Sequence, residues 1–342
     1  MLVMGTFGGR RAVAHASAWV VLSGPLLAGC SAALDQAHSV QTRLGRIDQV
    51  TDTSVATPSE EHGAAISVGY RGVTTERGLS RLLAEVDRVA DEADYPAYRL
   101  DLRPDEAPGD ALVVDDSFIG SDAEPAVLHA WLLVTAALLG DVDYSYEPGR
   151  ESITVDSGAA IGHDVGEASR VGYGFRDTTW TFSAEGVAFV VSGRVSPTDV
   201  QLFQGVQRTV ASDSLPAPSP AWRLERRTDH VLLDLDVDLG GPSGAGPVAP
   251  EQLTVARYGD DVERLVTAAL GAVRVAGRPV WLRLHHRTAA GDPGDPGGPG
   301  GPGDPGDDVF GYWVSGQAPV RGRDRLVRGW DRWLAAVARS TR

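Results

Sequence analysis

Several short runs of this chain alternate apolar and charged residues one for one, and that period restricts what they can become. Every second side chain is apolar in Val231-Leu232-Leu233-Asp234-Leu235-Asp236-Val237-Asp238, in Tyr98-Arg99-Leu100-Asp101-Leu102-Arg103 and in Val280-Trp281-Leu282-Arg283-Leu284-His285. A strand points successive side chains to opposite faces, so each run buries one face and wets the other. Strands of a doubly wound parallel sheet are covered on both faces and read as continuous apolar runs. The expected fold class is therefore α+β, with antiparallel sheets covered by helices, and not a Rossmann fold or a two-lobed solute-binding protein of that type.

Between these runs the period changes to that of helices. Ile66, Val68 and Tyr70 alternate as a strand, and Leu79, Leu82, Leu83, Val86, Val89 and Ala90 follow at helical spacing after Thr74-Thr75, which can cap. Strands follow at 98–102 and 112–115. Next comes a helix that opens on Ser121, Glu124 and Pro125, a capping-box pattern with proline in the first turn, and then a strand at 142–146. The order β-α-β-β-α-β is that of a ferredoxin-like, split βαβ module. A second such module is expected near the C-terminus, with a strand at 253–258, a helix face of Val262, Leu265, Val266, Ala269, Leu270 and Val273, strands at 280–285 and 310–314, and a helix at 326–337. Val68 and Val255 share one offset with Glu76-Arg77 and Glu263-Arg264, a hint of duplication. Between the two, 179–183 and 187–192 flank Ala184-Glu185-Gly186 as a hairpin, Ser196 caps a helix at Pro197, and Leu224 and 231–237 supply strands. The expected organisation is a module at 63–160, a hairpin-helix-hairpin module at 161–240 and a module at 241–342, or one extended sheet built from them.

Two segments stand apart from this pattern. Residues 291–305 are five Gly-x-Pro triplets, followed by Gly306-Asp307-Asp308; without a trimerising neighbour they predict a polyproline-like loop at 291–308 between two strands. Gly240-Gly241-Pro242-Ser243-Gly244 reads as a shorter linker. The last helix puts Leu326, Trp330, Trp333, Leu334 and Val337 on one face with arginines elsewhere. Such a helix can lie on a membrane, but the modules need covering helices, so packing on a sheet is expected.

The N-terminus carries a different signal. Arg10 and Arg11 precede an apolar run from Ala12 to Leu27, which ends in Leu27-Ala28-Gly29-Cys30 and contains the only cysteine of 342 residues. Gly24-Pro25 would break a helix there, and the run is shorter than a membrane span. The four residues resemble the lipobox of bacterial lipoproteins. That resemblance implies a signal peptide at 1–29, cleavage between Gly29 and Cys30, and a diacylglyceryl group on the Cys30 sulfur that holds the mature chain on the outer face of the cell membrane. Residues 30–62 are polar and predict a lipidated N-terminus and flexible tether, reaching on the order of 30 Å. The paired arginines leave both general and twin-arginine export open.

Composition excludes several chemistries. Removing 1–29 takes away two arginines and no carboxylate, so the net charge moves from −15 to −17. Nucleic acid and anionic headgroups would be repelled on average. All 31 basic residues are arginine, which resembles the product of a very GC-rich, actinobacterial genome and rules out a P-loop lysine, a Ser-x-x-Lys pair and Schiff-base catalysis. With Cys30 acylated no thiol nucleophile remains.

Sites for chemistry are sparse. Asp234, Asp236 and Asp238 share a strand face at steps of about 7 Å and are the one weak candidate for a cation, with a solvated acidic face as the plainer reading. His285 and His286 point to opposite faces, one outward and one packed, and the other histidines lack zinc spacing. Ser183, Ser192 and Ser196 lie near glycines without a nucleophile elbow. No cofactor is expected. The expected role is binding or interaction in the cell envelope, with a membrane attachment through Cys30 and an envelope protein as partner. An extracytoplasmic hydrolase with a dispersed site, or ligand capture for a transporter, are the alternatives.

Overall fold

The computed structural model describes residues 27–58, 63–172, 177–239, 248, 250–286, 309–317 and 325–341, with backbone alone at 27–32 and 250. The expected signal segment up to residue 26, the expected 240–244 linker and the expected 291–308 loop lie outside these residues. Helix α1 (Leu27–Leu44) leads into strands β1 (Val50–Ala56) and β2 (Ala64–Tyr70), followed by helix α2 (Glu76–Asp91). The same unit of hairpin and helix then recurs: β3 (Tyr98–Pro104), β4 (Ala111–Asp115) and α3 (Glu124–Ala137); β5 (Asp141–Glu147), β6 (Arg150–Asp156) and α4 (Ile161–Val171). It continues with β7 (Thr178–Ala184), β8 (Val187–Ser192) and α5 (Pro197–Val210), then β9 (Ala221–Arg226), β10 (Val231–Val237) and α6 (Val255–Val273). The last unit is β11 (Val280–His286), β12 (Val309–Val314) and α7 (Arg325–Ser340).

The strands form one 12-stranded sheet in strict chain order. Pairs within a hairpin are antiparallel, and the pairs β2/β3, β4/β5, β6/β7, β8/β9 and β10/β11, each bridged by a helix, are parallel. The sheet is thus mixed, which corrects the expectation of antiparallel pairing. The alternating sequence was a sound sign of one wet face, but the step from there to antiparallel strands assumes that parallel sheets carry helices on both sides. Here the main apolar row of the paired strands, from Ile66 and Leu100 through Tyr144 and Phe182 to Leu233 and Leu282, lies on one side, and each helix packs beside its chain neighbours on that side.

That arrangement has an unusual handedness. Each hairpin reverses direction, so the β4/β5 and β8/β9 crossovers run opposite to those at β2/β3, β6/β7 and β10/β11. Crossovers of one hand would place successive helices on alternate faces; with all helices on one face, successive crossovers alternate in hand. Parallel crossovers are otherwise almost uniformly right-handed.

The ferredoxin-like expectation is also corrected. Elements β2 to β5 follow the expected order, but a split βαβ needs a strand between its parallel pair. Here β2 and β3 pair directly, from Ala64 opposite Tyr98 to Tyr70 opposite Pro104. The offset that matched Val68 to Val255 joins a strand to a helix, because the 253–258 run opens α6 instead of forming a strand. The helical period through Tyr258, Val262, Leu265, Val266 and Ala269 outweighs the short apolar run before it. Strand β6 and helix α4 escaped the sequence reading. So did the N-terminal elements: part of the expected tether is α1, with Ala37, Val40 and Leu44 buried, and the edge strand β1.

Local signals explain most boundaries. Thr75 caps α2 by accepting from the Gly78 N–H at 3.1 Å. Ser196 and Asp199 form a reciprocal capping box at α5, ahead of Pro197. Gly186, at φ +70°, closes the β7–β8 hairpin, a conformation that favours glycine. At α3 the expected box does not form: Glu124 accepts from the Gly120 N–H at 2.6 Å, and Ala123 stands at the cap position.

The core lies between sheet and helices as one continuous cluster. Rings run through its middle: Trp180 and Phe182 at 5.7 Å, Phe189 and Phe203 at 5.4 Å, Phe203 and Trp222 at 5.6 Å between centroids. Helix α7 packs as expected, with Trp330 against Phe310 at 4.9 Å and its indole N–H donating to the Leu253 carbonyl at 2.8 Å. Buried and half-buried polar groups serve as clips. Asp164 accepts from the Leu139 and Gly140 N–H groups at 2.9 and 3.1 Å, and Glu151 accepts from both Tyr144 and Thr178, joining β5, β6 and β7. Phe203 joins α5 to β8 and β9, so Phe203→Ala is expected to cost about 3–5 kcal/mol of unfolding free energy, measured by urea titration. A midpoint that does not move would contradict this packing.

Candidate functional site on the open face of the sheet

The face of the sheet turned away from the helices is built from the other half of each alternating run. Two strands repeat one pattern: Arg99-Leu100-Asp101-Leu102-Arg103 in β3 and Arg223-Leu224-Glu225-Arg226-Arg227 at β9. In each, an acid stands between two arginines on one face, at two-residue steps of about 7 Å. Arg103 donates to Asp101 at 2.8 and 3.2 Å. Glu225 accepts from Arg223 at 2.7 Å and from Arg227 at 2.7 and 2.9 Å. Burial alone would raise the Glu225 pKa, but these hydrogen bonds and positive charges outweigh it and hold the carboxyl below the ordinary glutamate value.

Between the two charged strands lies a strip of hydroxyls, with Asp143 of β5 opposite Thr154 at its edge. Ser145, Ser152, Thr179 and Ser192 stand opposite one another across β5 to β8, and Thr154 and Thr181 form the next row. Beyond β9 the face turns aromatic and cationic: Trp281 stacks on His230 at 4.0 Å, and Arg283 and His285 follow on alternate positions of β11. His230 hydrogen-bonds Asp229 at 2.7 Å and thereby holds that carboxyl below its ordinary range.

The residues singled out by sequence fall as follows. Asp234 and Asp236 lie on the open face, opposite Arg223 and Ala221 on one side and Arg283 and His285 on the other. Asp234 is 3.7 Å from the Arg283 guanidinium and 3.9 Å from the His285 ring, so side chains of the protein already occupy its surroundings. Asp238 lies past the end of β10 and is exposed. Among the described residues no three acid, histidine or cysteine side chains converge on a point that could hold a metal. His285 faces outward, whereas His286 is buried with Nδ1 3.3 Å from the Val237 carbonyl. Ser196 is spent on its cap, and the Ser183 hydroxyl donates to the Val155 carbonyl at 3.3 Å. Gly29 and Cys30 fall in the first turn of α1, where the backbone alone is described.

A cleft of about 710 Å³ lies elsewhere, between α1 and α2. Its charges answer one another: Arg43 meets Glu92 at 3.3 Å, and Arg88 bridges Glu85 and Glu92 at 2.5 Å each. These exposed pairs contribute about 0–1 kcal/mol each, and they fasten part of the cleft as a seam between two helices. The repeated Arg-x-acid-x-Arg strands, by contrast, were visible as a sequence pattern; what was missing was the knowledge that no helix covers them among the described residues.

The Glu225 cluster makes a testable contribution. A carboxyl whose folded pKa is lowered stabilises the fold above its unfolded value, near 4.5, and loses that contribution as the pH falls through the lower folded value. Wild type is therefore expected to exceed Glu225→Gln in urea midpoint near neutrality, with the gap closing as the pH drops below about 4.5; a gap that holds or widens on acidification would refute the arrangement. Compared with known proteins, the chain matches no family model, no curated protein and no solved structure.

Proposed function

We propose that the chain is an exported lipoprotein, cleaved before Cys30 and lipidated on its sulfur, which presents the open face of its sheet to a partner in the cell envelope. The anchor reading rests on the sequence: a basic pair, an apolar run, Leu27-Ala28-Gly29-Cys30 and no other cysteine. The binding reading is carried by one observation, the broad sheet face that bears two Arg-x-acid-x-Arg strands and a hydroxyl strip. Such a face offers fixed, directional donors and acceptors to a partner without a closed pocket.

The two readings fit together mechanically. Ala37, only seven residues after Cys30, is already buried against the body, and seven helical residues span about 10 Å. A lipid on Cys30 would therefore hold the β1 end of the sheet close to the bilayer instead of on a long leash. The acidic body, at −17 without residues 1–29, adds no attraction of its own to an anionic bilayer.

Two measurements test this. In a bacterial host, the wild-type chain is expected in the membrane fraction with the mass of a lipid adduct, and Cys30→Ser either soluble or as an uncleaved precursor; unchanged fractionation and processing would overturn the anchor. A photo-crosslinking residue at Thr181, in the hydroxyl strip, is expected to give adducts with envelope components, whereas one at Gln204, exposed on α5, gives none. Equal labelling from both positions, or none from Thr181, would overturn the open-face role.

A further inference from the structure

A cleft of about 520 Å³ opens where the ends of β7, β8 and β9 meet the start of β11. Three arginines from separate segments line it: Arg194 after β8, Arg226 at the end of β9 and Arg278 just before β11. Thr179 and Ser192, opposite one another on β7 and β8, add hydroxyls, and Asp177 is the carboxylate of the lining.

The arginines play different parts. Arg226 is neutralised: its Nε and Nη2 donate to the buried Asp199 at 2.9 and 3.1 Å. Its remaining contacts, to the carbonyls of Ser192 and, at 2.7 Å, Arg194, hold the wall of the cleft in place. Arg226 is thus a positioning residue. Arg278 is held differently. Its Nη1 donates to the main-chain carbonyls of Arg227, at 2.6 Å, and Thr228, and among the described residues it forms no ion pair. Carbonyls fix a guanidinium without cancelling its charge, and among the described residues the Nε and Nη2 donors make no hydrogen bond. The result is a fixed positive charge beside Arg194 and two hydroxyls, on a chain whose net charge is −15.

We propose that this cleft is an anion subsite that takes a phosphate group, with Arg278 as its principal donor, Arg194 as a second cation and Thr179 and Ser192 as hydroxyl partners. A guanidinium fork with flanking hydroxyls matches the several acceptor oxygens of a phosphate better than the two of a carboxylate. Binding does not depend on the lipid anchor; the cleft shares Thr179 and Ser192 with the hydroxyl strip, but Thr181, the position used to probe the open face, is not part of its lining.

The test is calorimetric titration of the full-length chain in detergent at low ionic strength with inorganic phosphate, dimethyl phosphate and acetate as probes. Saturable phosphate binding with a Kd at or below about 1 mM is expected. A preference for inorganic phosphate assigns the site to a terminal phosphate, and equal binding of dimethyl phosphate to an esterified one. Arg278→Gln is expected to weaken binding by about tenfold or more, whereas Arg283→Gln, the same charge change on the open face, leaves it within about twofold. Should Arg278→Gln fail to fold, Arg194→Gln carries the same comparison. Absence of saturable binding, acetate binding as tight as phosphate, or equal losses in the cleft and open-face variants would overturn the proposal.

Discussion

The molecule depends on each strand pairing with the strand next to it in the chain. Because the register never skips a neighbour, every hydrogen-bonded ladder joins strands that are consecutive in the chain, and each of α2 to α6 links two strands that pair directly. Contacts of that kind make the structure quasi-one-dimensional, as in repeat proteins, where stability is approached as a sum of unit and neighbour terms. The recurrence here is one of element order, since the units share no sequence repeat beyond the Arg-x-acid-x-Arg strands. The aromatic run from Trp180 to Trp222 ties consecutive units together at the middle of the sheet, where α4 to α6 pack over it.

A single helical layer divides the molecule's labour. The covered face takes nearly all the apolar area, which supplies the driving force for folding. The other face carries charge, hydroxyls and the stack of Trp281 on the buried His230. Acids on the covered side act as fasteners: buried Asp164 ties α4 to the turn before β5, buried Asp199 ties α5 to β9, and half-buried Glu151 ties β6 to β5 and β7, as desolvated polar groups must be paired to avoid the cost of burial.

The sequence disclosed the strands and most helices because their periods are strong and their caps are real: Thr75 and Ser196 stand where their neighbours predicted. It did not disclose the topology. One-faced strands arise from antiparallel pairing or from parallel pairing with helices on a single side, and alternation in Tyr98–Arg103 or Val231–Asp238 is identical in both. Strand β6 was missed because Arg150-Glu151-Ser152 reads as polar, and Glu151 is half-buried there only because Tyr144 and Thr178 meet it from neighbouring strands. Helix α1 was missed because its buried side, Ala37, Val40 and Leu44, is narrow and its other residues are polar. The acids of β10 were picked out, but not their surroundings: the arginines opposite Asp234 come from β9 and β11, and only the register brings them there.

The alternating hand of the crossovers also governs the electrostatics of the helical layer. Since the strands feeding α2, α3, α4, α5, α6 and α7 run in alternating directions, each helix lies antiparallel to the next. Each helix carries about half a positive charge at its N-terminus and half a negative one at its C-terminus. In a layer of parallel helices those partial charges collect at opposite rims; here every positive end stands beside a negative one and the macrodipoles cancel pairwise. The backbone therefore gives this protein no electropositive rim, and the sign of each region of its surface is set by where its arginines and carboxylates fall.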